Sequence, residues 1–181
     1  MANTVASNVD RVSIEFIRSF VERWVAAWNA HDADGLLSLC TEDIVWEDPA
    51  APTPSHGHDE VRDFLATVWT IFPDLTFTLP EPPLVAVEGP RAAQVWRLNG
   101  TFLGPDPTGF APTGKHVDQP GIDLYEFRDG LLCRYNALYD VSESLRQMGL
   151  APARGSRAER SMAFLQRTAM RMRRSQATAV E

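Results

Sequence analysis

One proline divides the chain into two halves with different hydrophobic periods. Upstream of Pro73 apolar residues recur every three or four positions, and downstream they alternate every second position. The first pattern buries a helical stripe and the second one face of a strand, so the chain must lay helices against a sheet built after them. Residues 11–30 put Phe16, Ile17, Phe20, Val21, Trp24 and Trp28 on one stripe. Asp32 or Asp34 can cap a second, shorter helix whose buried side is Leu36, Leu37, Leu39 and Cys40. A short strand, Ile44–Asp48, and a Pro/His loop, Pro49–His58, lead to a third helix over residues 59–72, which Pro73 stops.

Beyond Pro73, Leu75–Leu79 alternates cleanly, and Leu84–Val87 and Ala92–Phe102 read as further strands. The Gly- and Pro-rich segment 104–114 is a loop. Lys115–Phe127 and Leu131–Tyr139 form a hairpin across Arg128-Asp129-Gly130, and a short helix follows at 142–148. Three helices followed by a run of antiparallel strands predict an α+β fold. Its helices lie on one face of a curved sheet, which closes into a cone around a pocket. Residues 1–11 are an N-terminal extension with a loose start at 1–9, residues 12–149 the domain, and residues 150–181 an Arg-rich tail. That tail reads either as an amphipathic helix over 157–174, with Met162, Phe164, Leu165, Thr168, Ala169 and Met172 on its apolar side, or as a solvated arm.

Charge narrows the classes of function. Residues 1–149 hold 10 basic and 22 acidic side chains, a net −12, whereas residues 150–181 hold seven Arg against two Glu, a net +5. An acidic body excludes nucleic acid as the partner of the main domain. Cys40 and Cys133 lack metal or redox spacing and read as reduced core residues of a cytosolic protein. No apolar run reaches the ~18 residues of a membrane span, and no signal-like region follows Met1. These features predict a soluble cytoplasmic protein without a membrane partner.

Within the strands, a few polar residues carry the chemistry. Asp48, in Trp46-Glu47-Asp48-Pro49, shares a strand face with Ile44 and Trp46. It is either the Asp that opens a Pro-rich turn or an acid at the edge of an apolar cavity, where desolvation raises its pKa toward that of a general base. Asp123 lies among Ile122, Leu124, Tyr125 and Phe127 and is either an exposed edge residue or a satisfied or neutral acid in a pocket. Tyr135 and Tyr139 share a face with Ala137 and either line that pocket or pack in the core. Trp24, Trp28 and Trp46 offer a flat apolar wall for a polycyclic ligand, or they fill the core. His116 and Asp118 form an alternative acid–base pair on the strand face opposite Asp123, and Arg97 and Asn99 alternate with Trp96 and Leu98. His56 and His58 lack further ligands nearby, so no metal site is expected. No Ser-His-Asp order, phosphate loop or dinucleotide fingerprint is present.

The run from Arg23 through Trp24 and Trp28 to Asp32, then Leu36-Leu37, then Glu42 to Pro49, resembles the N-terminal half of ketosteroid isomerases and of SnoaL-like polyketide cyclases. Both share the cone-shaped fold of the nuclear-transport-factor-2-like superfamily. Gly100–Gly104, Ala111–Lys115 and Gly121–Phe127 with Asp129-Gly130 are more similar to the SnoaL-like branch. The resemblance covers residues 12–149 and implies Asp48 as the proton shuttle and Asp123 as the protonated donor to a developing oxyanion. A Tyr that the isomerases keep on the first helix falls at Trp24, a bulkier and far less acidic donor. The resemblance implies cofactor-independent cyclisation or isomerisation of a polyketide-like or polycyclic carbonyl compound through an enolate, in a homodimer. Arg97 in an Arg–Asp arrangement is similar to the limonene-epoxide-hydrolase branch, with Asn99 where that branch wants a second carboxylate, which gives the alternative of epoxide opening. A non-catalytic small-molecule-binding protein is the third reading.

Overall fold

The computed structural model describes residues 11–178, with side chains through Arg171. The loose start expected at residues 1–9 and the side chains of Met172, Arg173 and Arg174 lie outside the described residues. In chain order the elements are α1 (Ile14–Asn29), α2 (Ala33–Leu37), β1 (Cys40–Glu47), β2 (Ser55–His56), α3 (Gly57–Ile71), β3 (Thr76–Thr78), β4 (Leu84–Val85), β5 (Arg91–Thr101), β6 (His116–Arg128), β7 (Leu131–Tyr139), α4 (Val141–Met148) and α5 (Arg157–Thr178).

Local chemistry sets the helix boundaries. Ser13 caps α1 by accepting from the Phe16 amide at 3.1 Å, and Asp32 caps α2 by accepting from Gly35 at 2.9 Å. Asp140 caps α4, and Gly149 closes that helix in the left-handed conformation at φ 79°. The strands form one mixed sheet in the order β2-β1-β7-β6-β5-β3, with β4 also paired to β5. The β1–β7 pair is parallel and the other pairs are antiparallel. This is the α+β cone that the sequence predicts. The sheet curls around α1, whose Ile17, Phe20, Val21, Trp24 and Trp28 meet Ile44, Trp46, Tyr125, Phe127 and Tyr135 in one continuous core.

Several elements depart from the sequence reading: α2 ends at Leu37, which leaves Leu39 and Cys40 beyond it, and β4 ends at Val85, short of the expected Val87. The strand expected at Leu75–Leu79 pairs only over Thr76–Thr78, where it meets Arg97–Asn99 of β5. The Asn29 side chain donates to the Phe77 carbonyl at 3.0 Å and accepts from the Phe77 amide at 2.7 Å, tying the end of α1 to β3. β1 begins at Cys40, four residues before the expected start, since the Cys40 position pairs with Leu132 of β7. The two-residue β2 was read as loop; it exists through pairing with Val45 and Trp46, which local pattern does not encode.

The loop after β5 is anchored on α3. Leu103 and Gly104 both donate to the Ile71 carbonyl at 3.1 Å. A Cβ on Gly104 would stand 1.7 Å from the Thr70 carbonyl oxygen. Gly104→Ala is therefore expected to lower the unfolding free energy by about 2–3 kcal/mol in urea denaturation, because neither backbone segment can yield freely. An unchanged midpoint would show that the loop does not pack against α3.

Candidate active site

Asp123 lies near the middle of β6, on the inward parity shared with Val117, Gln119 and Tyr125, and is 4% exposed. Three donors converge on it. The Trp96 indole donates to Oδ1 at 2.7 Å, the Tyr135 hydroxyl to Oδ1 at 2.9 Å, and the Tyr125 hydroxyl to Oδ2 at 3.0 Å. Trp96 reaches it because residue 121, its partner in the β5–β6 ladder, is glycine. A Cβ there would come within 2.3 Å of the indole ring.

Burial drives the Asp123 carboxyl up to about 7, outweighing the three hydrogen bonds that favour the ionised form; the charge of Asp48 pushes it further in the same direction. The geometry accommodates the neutral acid. An indole N–H cannot accept, so Oδ1 must remain an acceptor, and the proton belongs on Oδ2 with the Tyr125 phenol turned from donor to acceptor.

Asp48 follows the last residue of β1 and is half-buried. Its Oδ1 accepts from the Ala50 amide at 2.8 Å, closing the turn. The same oxygen accepts from the Tyr139 hydroxyl at 2.8 Å, which fixes the carboxylate against the end of β7. The turn reading of this residue holds, and its carboxylate also meets Tyr139, but Asp48 is not among the residues that line the cleft beside Asp123. Loss of water raises its pKa above the ordinary Asp range, and the hydrogen bonds from Ala50 and Tyr139 oppose that rise. Tyr139 packs edge-on against Trp96 at 5.8 Å, linking the surroundings of the two acids.

A narrow cleft of ≈10 Å³ borders Asp123, lined among others by Trp24, Trp28, Phe77, Gln94 and Trp96. That is room for about one water-sized group. Gln94 was missed in the sequence. It faces Asp123 across the β5–β6 ladder and is 1% exposed. Its Nε2 donates to the carbonyls of Glu81 at 2.8 Å and Val95 at 2.7 Å. Turning the amide over would set its oxygen against two carbonyls, so Oε1 is committed as an acceptor. Among the described residues neither Gln94 Oε1 nor Trp24 Nε1 has a partner. A signal was available: Ala92, Gln94 and Trp96 share one strand parity, and a Gln between apolar inward positions needs a reason to be there.

The other expected site residues scatter. Trp24, Trp28 and Trp46 are 3%, 4% and 1% exposed and fill the cone instead of presenting an open wall. Trp46 stacks against Tyr135 at 4.0 Å and Trp24 at 5.5 Å, and only Trp24 and Trp28 border the cleft. The reason is volume, since ring stacking occupies space that smaller side chains would leave open. Tyr135 belongs to the Asp123 cluster and Tyr139 to Asp48. Arg97 forms a two-pronged pair with Asp118, its Nη2 2.6 Å from Oδ2, on the outer face of the sheet. His116 and Asn99 lie on the same strands away from the cleft. Strand parity therefore puts these four residues on the side opposite Asp123. Among the described residues no group of three or more His, Cys, Asp or Glu is arranged to hold a metal. The Cys40 thiol is pushed up to about 12 by burial and is no nucleophile.

The shift on Asp123 has a signed consequence for stability. Its carboxyl titrates near 3.8 when unfolded and at about 7 when folded, so the folded state holds the extra proton between those values and loses stability as pH rises through them. Relative to Asp123→Asn, the native chain is expected to lose roughly 4 kcal/mol of unfolding free energy from pH 4 to pH 7 and then to level off. A constant difference across that window would show that Asp123 is ionised throughout.

The SnoaL-like domain family matches residues 21–135, a span holding both Asp48 and Asp123. Among solved structures the fold is shared with a candidate polyketide cyclase from a Silicibacter species, at TM-score 0.65 and 23% identity over 75% of this chain and 97% of that one. AclR from Streptomyces galilaeus, described as a candidate hydroxylase, matches at TM-score 0.66 and 22% identity over 89% and 98% of the two chains. A Catenulispora acidiphila protein with a ketosteroid isomerase-like fold matches at TM-score 0.60 and 21% identity over 72% and 92%. Likeness at these identities speaks to fold, and the matched span speaks to family: this chain belongs to the SnoaL-like domain family.

Proposed function

We propose that this chain catalyses cofactor-independent proton transfer at a carbon next to a carbonyl, leading to cyclisation or isomerisation of a polyketide-like compound. The observation that carries the reading is the contrast between two acids whose surroundings meet where Tyr139 packs on Trp96. Asp123 is enclosed and holds its proton to about pH 7, whereas Asp48 is half-buried and keeps two donors on its carboxylate. Environments that separate two carboxyl groups in this way divide them into an acid and a base.

In this mechanism the Asp48 carboxylate takes the proton from carbon, and the C–H electron pair moves into an enolate. Neutral Asp123 turns its Oδ2 proton from the Tyr125 hydroxyl to the enolate oxygen and donates a hydrogen bond there, with the Trp24 N–H as a second donor on the same cleft. Cyclisation follows when the enolate carbon attacks a second carbonyl; isomerisation follows when the proton returns to a different carbon. The water-sized cleft suits one substrate oxygen, with the ring system remaining outside it. Membership in the SnoaL-like family and the likeness to a candidate polyketide cyclase support this chemistry. Epoxide opening has less support, because Arg97 is paired with Asp118 on the opposite face of the sheet.

Exchange of deuterium from solvent into a panel of polycyclic β-diketones tests the proposal. Asp48→Asn is expected to slow exchange about 10²–10⁴-fold and Asp123→Asn about 10²–10³-fold, with circular dichroism unchanged. Retention of exchange within tenfold in Asp48→Asn removes the base assignment, and binding without any exchange identifies a binding protein. The rate should also fall above about pH 7, as Asp123 loses its proton. It should fall on the acid side as Asp48, raised above the ordinary Asp range, gains one. A rate that climbs steadily through pH 9 would contradict the assignment of the two acids.

A further inference from the structure

We propose that α5 is a clasp that docks on the acidic body of a second copy of this chain, in the cleft between α3 and the loop at residues 104–107. The helix is 22 residues long, about 33 Å from end to end, and among the described residues no extensive packing joins it to another element. Met162, Phe164 and Leu165 are 55%, 61% and 66% exposed. A lone helix of this size takes most of its stability from packing of an apolar face, and here its own chain supplies no such packing.

The start of α5 is built firmly, which argues for a purpose. Ser156 accepts from the Glu159 amide at 3.1 Å, and Glu159 reaches back to the Gly155 amide at 2.6 Å, a capping box displaced by one residue. Arg154 pairs with Asp140 and Glu143, fastening the root of α5 to α4.

Charge selects the occupant. The tail carries a net +5 and the body a net −12. Arg157 and Arg167 make no ion pair among the described residues, and Arg160 bonds only the Gly155 carbonyl. On the body, Asp59 and Asp63 are exposed on α3 and make no ion pair among the described residues. Beside them runs an open cleft of ≈340 Å³ lined by Asp63, Ala66, Thr67, Thr70, Pro105 and Pro107. Small side chains on its floor let a helix approach closely, and acids on its rim meet arginines. Nucleic acid or an anionic membrane fits less well, since either would be brought against a body of its own sign. A second copy supplies the acidic surface at matching concentration, and mutual exchange of two arms closes a two-fold dimer.

The test uses the full chain. Sedimentation equilibrium at about 50 mM and about 500 mM salt is expected to show self-association that weakens with salt. Arg160→Glu with Arg167→Glu should weaken it about tenfold at low salt and remove most of the salt dependence. A photo-crosslinking residue placed at Phe164 should join two chains through peptides of α3 or residues 104–107. The proposal is overturned by crosslinks within one chain or between two α5 helices. It is overturned equally by association indifferent to the charge reversal, or by binding of the native chain to duplex DNA or anionic vesicles at salt where no dimer forms.

Discussion

A carboxyl group enclosed by three donors is the constraint around which this fold is arranged. Asp123 can be buried at the centre of the sheet only because Trp96, Tyr125 and Tyr135 surround it. Each donor comes with a condition. Trp96 requires glycine at 121 so that its ring can cross β6. Tyr135 requires the antiparallel β6–β7 register that sets it opposite Tyr125. Those rings in turn pack on Trp24 and Trp46, with centroids 5.6 Å and 4.0 Å from Tyr135, so satisfying one acid organises the aromatic core that holds α1 inside the sheet.

The same arrangement divides the chemistry. Asp123 has lost its water and is stable as a neutral acid into the neutral range, while Asp48 stands at the edge and is held by one tyrosine and one amide. Gln94 and Trp24 add an acceptor and a donor at the cleft that find no partner among the described residues. A site built in this way discriminates by hydrogen bonding more than by shape, because the space beside Asp123 takes a single oxygen.

Much of this could be read in the sequence, and the boundary of what could be read is physical. The switch of period at Pro73 gave the α+β order, and the bounds of β7 coincide with the expected Leu131–Tyr139 because Asp-Gly fixes the turn before it. Strand parity separated Asp123 from His116 and Asp118, whereas the side taken by Arg97 and Asn99 depends on the β5–β6 register. Parity reports the face of a side chain and not the depth of space before it. Trp24, Trp28 and Trp46 therefore looked equally suited to a ligand wall and to the core, and their mutual stacking decided it. Gln94 escaped because its importance depends on two carbonyls, Glu81 and Val95, that only the folded chain turns toward its amide. β2 escaped for the same reason, being two residues whose strand character comes wholly from a partner.

The central claim is that Asp123 keeps its proton where ordinary aspartates have lost theirs. Carbon-13 labelling of the aspartate carboxyl groups, followed by NMR from pH 3 to pH 9, reads this directly. One resonance should titrate near pH 7 and vanish in Asp123→Asn, with the Asp48 signal moving above the common aspartate range. Titration of every aspartate below about pH 5 would mean that the three donors hold Asp123 ionised, and the division into acid and base would fall with it.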